Sequence, residues 1–392
     1  MRILFLTARF PWPLLRGDQL RAYHQLRLLA PHHRLTLVCF CDAPVPPAGL
    51  AAVSAFCERV VTVPLGRVAM TTGLARGAFS PLPFQVSLYS HARMRRVLSE
   101  LVAGETFDFV HAQLARMAPY VEDLPAPRFV DLVDALSLGM RRRSHQHRGP
   151  LRWLTALEAG RLLRYERRIC ASVEGASVVS SVDRDAIGAT ASIGVVPNGV
   201  DLEEFPFGRE GRDPATVAFT GNMGYFPNVN AACWFAERVH PLVRRSVPEA
   251  RFLVIGARPA ARVRRLARAD PSVSVLGFVD DLRPHLRSAT VAVAPMQAGA
   301  GQLFKVIETM ASGTPVVATP VAAEAFEAGD GDDLLVAGTP EAFAGAVVSI
   351  IRDPGRAGRL AARARRFVES RHTWERSVAR LEELHEAARA RR

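Results

Sequence analysis

The stretch Ala294–Thr319, APMQAGAGQLFKVIETMASGTPVVAT, holds the residues best suited to chemistry. An apolar run closes at Pro295 and Gly299 and Gly301 follow. A helical pattern then carries Lys305 and Glu308 to Met310, and Gly313 breaks it. Glycines ahead of a helix let backbone N–H groups approach an anion, and the free amides and macrodipole at the helix start stabilise phosphate. The dipole contributes about 0.3–1 kcal/mol at an exposed site and up to about 2 where partly buried. Lys305 and Glu308 are three residues apart and project from one side of the helix. A cation that touches phosphate, beside a carboxylate that takes two sugar hydroxyls, suits a nucleoside diphosphate. The alternative is a surface Lys–Glu pair worth about 0.2–0.5 kcal/mol. Among 50 basic residues Lys305 is the single lysine, which favours a functional role. A compact ammonium is then needed where a planar guanidinium does not fit.

Other carboxylates are weaker candidates. Asp131 and Asp134, in FVDLVDALS at a strand end, can position a reacting hydroxyl or can cap the next segment. Asp183-Arg184-Asp185 has the D-x-D spacing that holds a divalent cation with a diphosphate. It also opens a helix, where Asp is favoured for capping and for the dipole. The cap reading is preferred there, and for Asp280-Asp281, so no bound metal is expected. Met140–Arg168 holds nine arginines interleaved with Trp153, Leu154, Leu157, Leu162 and Leu163. That stretch reads either as a basic amphipathic surface docking on anionic lipid or as a solvated helix packed on its domain.

Positioning these residues requires a scaffold, and the chain length of 392 residues allows two or three domains. Short apolar runs alternate with amphipathic stretches throughout, the pattern of an α/β protein with parallel sheets flanked by helices. Strands are expected at Ile3–Thr7, Leu35–Phe40, Val60–Val63, Phe109–His111, Arg128–Asp131 and Ser177–Ser180. A second set is expected at Thr216–Gly221, Arg251–Gly256, Val273–Gly277, Thr290–Pro295, Pro315–Thr319 and Asp333–Val336. Helices are expected at Asp18–Ala30 and Arg93–Val102, among others. Two Rossmann-like units follow, over 1–198 and 199–372, facing across a cleft. The seam is the Pro-, Gly- and charge-rich linker Val196–Pro214. A terminal helix over 373–392 carries Trp374, Val378, Leu381 and Leu384 as an apolar stripe and is expected to cross back to the first domain.

Composition narrows the function. No run nears the ~18–20 apolar residues of a membrane span, and the start lacks a secretory signal. Five cysteines without a CxxC pair point to reduced thiols in the cytoplasm. The net charge of +12 suits anionic partners such as nucleotide phosphates or a membrane surface, and no nucleic-acid-binding motif accompanies it. A dehydrogenase is disfavoured, because no strand runs into G-x-G-x-x-G with an acidic residue ~20 positions on.

Across nearly its whole length the chain resembles glycosyltransferase family 4, retaining, nucleotide-sugar-dependent enzymes of the GT-B fold. The likeness is carried by PWPLLRGDQLRAYH, FDFVHAQ, VVPNGVDLEEF, FTGNMGYFPNVNAACWF, LVIGARP, VLGFVDDLRPHLRSATVAVAPM and KVIETMASGTPVVAT. It is nearest to the subgroup of exopolysaccharide and cell-envelope assembly, including enzymes found with exosortase systems. The resemblance implies that Glu308 holds the donor ribose and that Lys305 and the Gly299–Gly301 loop meet the diphosphate. It implies that Val279 pairs the base through its backbone, that Gly221 and Asn222 line the donor site, and that Gly17 and Asp18 close over the phosphates. Three positions depart from the family pattern. Ala300 replaces the first glutamate of E-x7-E, Asn222 replaces an arginine, and a lysine is lost near Pro227-Asn228. Lys305 is left as the leading cation for the departing diphosphate. Gln113 stands where many members have a sugar-contacting histidine, with His111 two residues earlier. His111 is more simply read as a packed strand-end residue.

Sugar transfer from a nucleotide needs charge stabilisation on the leaving diphosphate rather than the paired carboxylates of a glycosidase. The expectation is therefore a cytoplasmic transferase, peripheral at the inner face of the membrane, acting without metal. It would use Lys305, Glu308 and Asp131 on a UDP- or GDP-linked sugar, with a glycan or lipid-linked acceptor contacting Gln113, His111 and Asp134. Two other readings stand beside it: a non-catalytic binding relative and a nucleotide-sugar epimerase.

Overall fold

The computed structural model describes residues 1–66, 80–122, 124–188, 193–208 and 211–391. Residues 209–210 of the linker lie outside the described residues. The chain divides into two compact units, Met1–Asn198 with Trp374–Arg392, and Gly199–Thr373.

The first unit holds a seven-stranded sheet in the order β3-β2-β1-β4-β5-β6-β7. Its strands are β1 (Arg2–Thr7), β2 (Arg34–Cys41), β3 (Arg59–Pro64), β4 (Phe109–Gln113), β5 (Arg128–Val133), β6 (Gly175–Val178) and β7 (Ile193–Val195). The second unit holds six, in the order β10-β9-β8-β11-β12-β13. These are β8 (Thr216–Thr220), β9 (Arg251–Ile255), β10 (Val273–Gly277), β11 (Val291–Ala294), β12 (Val316–Ala318) and β13 (Leu335–Val336). Every pairing is parallel. Strands covered by helices on both faces are buried on both sides, which is why β1 and β11 read as unbroken apolar runs. In each sheet the order reverses at one place, between β1 and β4 and between β8 and β11. Loops diverge there and leave a crevice at the carboxyl ends.

Several expected elements shift. The strand placed at Ser177–Ser180 runs instead over Gly175–Val178, because Ser180 caps the next helix by accepting from the Asp183 amide. The strand placed at Asp333–Val336 shrinks to Leu335–Val336, since the Asp333 carboxylate accepts from the Gly329 amide and closes a turn. Strand β7 has no counterpart among the expected elements. The terminal helix Trp374–Arg389 buries Trp374, Val378 and Leu381 of the expected stripe, leaves Leu384 half-buried, and adds His385 and Ala388. It joins the helix Gly17–Leu29 over one face of the first sheet, in a core with Phe5, Phe109 and Phe129.

Candidate functional site

The second unit assembles its candidate residues at the reversal point of its sheet. Strand β8 ends at Thr220 and turns at Gly221, whose φ of 146° is open to glycine. A side chain there would collide. A Cβ on Gly221 would come within 2.7 Å of Lys305 Nζ and 2.8 Å of Asn228 Nδ2, and one on Gly256 within 1.7 Å of the Gly221 carbonyl oxygen. Asn222 follows, and the helix Phe226–Trp234 places Asn228 in its first turn. From the neighbouring strand β11, the loop with Gly299 (φ 138°) and Gly301 (φ 73°) leads into the helix Phe304–Ala311. No side chain caps the start of that helix. Its apolar face buries Val306, Ile307 and Met310, which leaves Lys305 and Glu308 half-buried at the crevice.

Lys305 is held in a socket. Its Nζ donates to Asn228 Oδ1 at 2.7 Å and sits 4.4 Å from the centre of the Phe219 ring. Asn228 Nδ2 in turn donates to the Asn222 carbonyl at 3.0 Å. Despite their spacing, Lys305 and Glu308 form no ion pair among the described residues, which overturns the reading as a plain surface pair. The ammonium instead turns to Asn228. Burial lowers Lys305 to about 7, against the pull of Glu308. Burial raises the Glu308 carboxyl to about 7, helped by the charge of Glu204 and opposed by Lys305. Both groups change charge readily when a charged ligand arrives. Val279 lies two residues beyond β10, at the outer edge of the same sheet, and is half-buried.

In the first unit Gly17, Asp18 and Gln113 meet at the β1–β4 reversal. The Asp18 carboxylate pairs with Arg9, which also donates to Tyr89 Oη at 3.1 Å. Gln113 is buried and donates to the Asp18 carbonyl at 3.1 Å, so it holds the start of the helix Gly17–Leu29 rather than facing a ligand.

Two residues expected at a reacting centre lie inside the core. Residues alternate faces along a strand, so His111 shares the face of Phe109, and Asp131 that of Phe129. That face is covered by the helices Gly17–Leu29 and Trp374–Arg389. His111 stacks between Phe5 and Phe129, and its Nδ1 lies 3.0 Å from His385 Nε2. Burial lowers it to about 4, and it has no solvent-exposed surface. Asp131 accepts from Arg21 Nε at 2.7 Å, Gln25 Nε2 at 3.0 Å and Ser177 Oγ at 3.0 Å. Burial works to raise its pKa, but the Arg21 guanidinium prevails and holds the carboxyl below its ordinary range. Neither the His111 sugar contact nor the Asp131 catalytic role survives this geometry.

Asp134 is raised to about 7 by burial and by the neighbouring charges of Asp183 and Glu166, with Arg116 opposing. The D-x-D carboxylates do not converge. Asp183 is buried against Ser180 and the Ala135 amide, while Asp185 is exposed and pairs with Arg184 at 2.9 Å. No group of three or more His, Cys, Asp and Glu able to hold a metal occurs among the described residues.

Sequence reasoning missed the socket itself. Asn228 was visible only as a departure from a family pattern, and Phe219 only as part of a strand. The i, i+4 spacing of Arg21 and Gln25 on one helix face was the available signal for the Asp131 cage.

Two parallel sheets of Rossmann order, one holding Lys305 against Asn228 and Phe219 at its reversal point, define an α/β protein of the GT-B class. Residues 214–353 match the model of the family described as "Glycosyl transferases group 1". The chain is 29% identical over 239 residues to a phosphatidyl-myo-inositol mannosyltransferase of Mycolicibacterium smegmatis. The match covers 58% of this chain and 60% of the mannosyltransferase's length. Among solved structures it is similar to sucrose-phosphate synthase from Thermosynechococcus elongatus, with TM-score 0.77, 16% identity and all of both chains covered. It is also similar to Anabaena HepE in complex with UDP and glucose, with TM-score 0.68, 15% identity and 98% of each chain covered.

Proposed function

We propose that the protein is a retaining glycosyltransferase that moves a sugar from a nucleoside-diphosphate sugar to a glycan or lipid-linked acceptor in cell-surface polysaccharide assembly. The observation that carries this reading is the Lys305 socket at the β8–β11 reversal, with Glu308 one turn along the same helix. The diphosphate binds against the Lys305 ammonium and the start of the helix Phe304–Ala311. Its negative charge offsets the desolvation that lowers the free lysine. The Glu308 carboxylate accepts from the ribose hydroxyls. As the sugar leaves, charge builds on the diphosphate, and a preorganised cation stabilises that charge more than it does the ground state. Same-face attack then lets the leaving phosphate accept the acceptor's proton, which retains the anomeric configuration. HepE was solved with UDP and with UDP-glucose, and a UDP-linked donor is the first to test here, ahead of GDP. Lys305 supplies the charge that a divalent cation would otherwise bring, so transfer is expected to proceed in EDTA.

The test is thermal stabilisation by UDP, GDP, ADP, CMP and dTDP with and without EDTA, followed by transfer assays on Lys305→Ala and Glu308→Ala. A ligand at about 100 times its dissociation constant adds about 2.7 kcal/mol. Each variant is expected to lose at least about 100-fold in turnover, the scale for a main electrostatic contact. Near-normal turnover in both removes the site. No shift with any nucleotide leaves a non-catalytic binding relative, and a sugar product formed without acceptor leaves an epimerase.

A further inference from the structure

The helix Pro150–Ser172 presents a second surface that the sugar-transfer reading does not use. Its inner face buries Thr155, Ala159 and Leu162 against the first unit. The outer side of its first two turns is apolar and exposed: Trp153 is 76% exposed, Leu157 57%, Leu154 51% and Leu151 47%. One turn on, Arg161 stacks over Phe84 at 4.7 Å and donates to the carbonyls of Ser80 and Leu82, which fixes the helix to its unit at that level.

Charge around this ridge has one sign. The helices Leu136–Gln146 and Pro150–Ser172 contain only two carboxylates, Glu158 and Glu166, and both are buried. Arg141, Arg148, Arg152 and Arg164 are exposed. A tryptophan and three leucines exposed beside arginines of the same two helices and their connecting turn match a surface that is apolar inside and anionic outside. They oppose a second copy of this chain, whose arginines would be brought against their like.

We propose that the first two turns of the helix Pro150–Ser172, with Arg141, Arg148 and Arg152 around them, form a docking face that seats on an anionic lipid bilayer. The indole and leucines enter the headgroup boundary, and the guanidiniums pair with lipid phosphates. The inference stands on this face alone and does not depend on the activity proposed above.

The experiment is sedimentation of the full chain with vesicles of phosphatidylcholine alone and of equimolar phosphatidylcholine and phosphatidylglycerol. Wild type is expected to pellet with the anionic vesicles only, less so as salt rises. Trp153→Ser/Leu154→Ser is expected to cut partitioning at least about tenfold, and Arg148→Ala and Arg152→Ala roughly fivefold each. These side chains are exposed, so each variant is checked for an unchanged circular-dichroism spectrum and unfolding midpoint. The proposal is overturned by equal pelleting with both vesicles, by pelleting with neither, or by undiminished pelleting of the folded Trp153→Ser/Leu154→Ser variant. It is also overturned if wild type self-associates in solution and that variant does not, which would assign the ridge to a protein interface.

Discussion

Replacing Asp131 by asparagine separates a structural carboxylate from a catalytic one. The side chain sits at zero exposure in the first unit and accepts from Arg21 Nε and Nη2, Gln25 Nε2, Ser177 Oγ and the Val133 amide. Asparagine keeps the shape but presents an amide where these donors converge, and it leaves the equally buried Arg21 guanidinium without its counter-charge. Removing one partner of a buried pair costs about 3–5 kcal/mol, since the remaining charge stays desolvated. In a unit of this size a loss of 1 kcal/mol lowers the midpoint by about 2–4 °C, so Asp131→Asn is expected to fall by roughly 6–20 °C. Arg21 keeps its bonds to Asn198 Oδ1 at 2.9 Å and to the Val196 carbonyl at 3.1 Å, which places the fall towards the smaller end. Scanning calorimetry of the purified full chain reads it. The carboxyl is held below its ordinary range, so its contribution is complete above that range and is lost as pH falls through the folded value. The variant therefore also loses part of the acid limb of the stability profile. A midpoint unchanged within about a degree, together with abolished sugar transfer, would refute the structural account and return Asp131 to the chemistry.

Three further outcomes are expected. Lys305 is lowered to about 7 by burial, so its ammonium is lost as pH rises through 7. UDP affinity should then fall above neutrality by up to about tenfold per pH unit. A flat affinity profile in Glu308→Gln, where the opposing carboxyl is gone, would contradict this. Gly221→Ala should drive its new Cβ against Lys305 Nζ and Asn228. Loss of a charge-assisted contact should weaken UDP binding roughly tenfold or more, and titration calorimetry showing wild-type affinity would remove the socket. Finally, His111 is lowered to about 4 and His385 well below its ordinary value by burial. The unfolded chain thus binds more protons below about 6.5, and stability falls as pH drops from there towards 4, by up to about 1.4 kcal/mol per unit for each histidine. The raised carboxyls of Asp134 and Glu166 act in the opposite sense over this range. The comparison is therefore the difference in urea midpoint between wild type and His385→Phe, and a difference independent of pH would oppose the assignment.

The fold class was legible because its signal is local. A parallel strand buried on both faces must be apolar along its length, so β1, β2, β8, β9 and β11 appear as runs that the backbone cannot use otherwise. The glycines before Lys305 and the helical spacing of Lys305 and Glu308 are local in the same way. Strand ends were less legible, since Ser180 and Asp333 trade a ladder position for a cap or a turn, and the hydrogen bond that decides between them is not encoded in periodicity.

The sequence by itself determined which residues can carry charge at the carboxyl ends of the strands, because alternation and glycine placement put them there. Only the tertiary structure decided what each one faces. His111 meets His385 from 274 positions away, Asp131 meets Arg21 from 110, and Lys305 meets Asn228 from 77. Whether a polar side chain is a ligand group or a cross-brace depends on the partner that covers it. That partner is supplied by packing across the chain, which no local pattern specifies. The same separation explains the ridge at Trp153: its amphipathic spacing was readable, but only the fold showed that Leu151, Trp153, Leu154 and Leu157 stay exposed, with no described element of their unit over them.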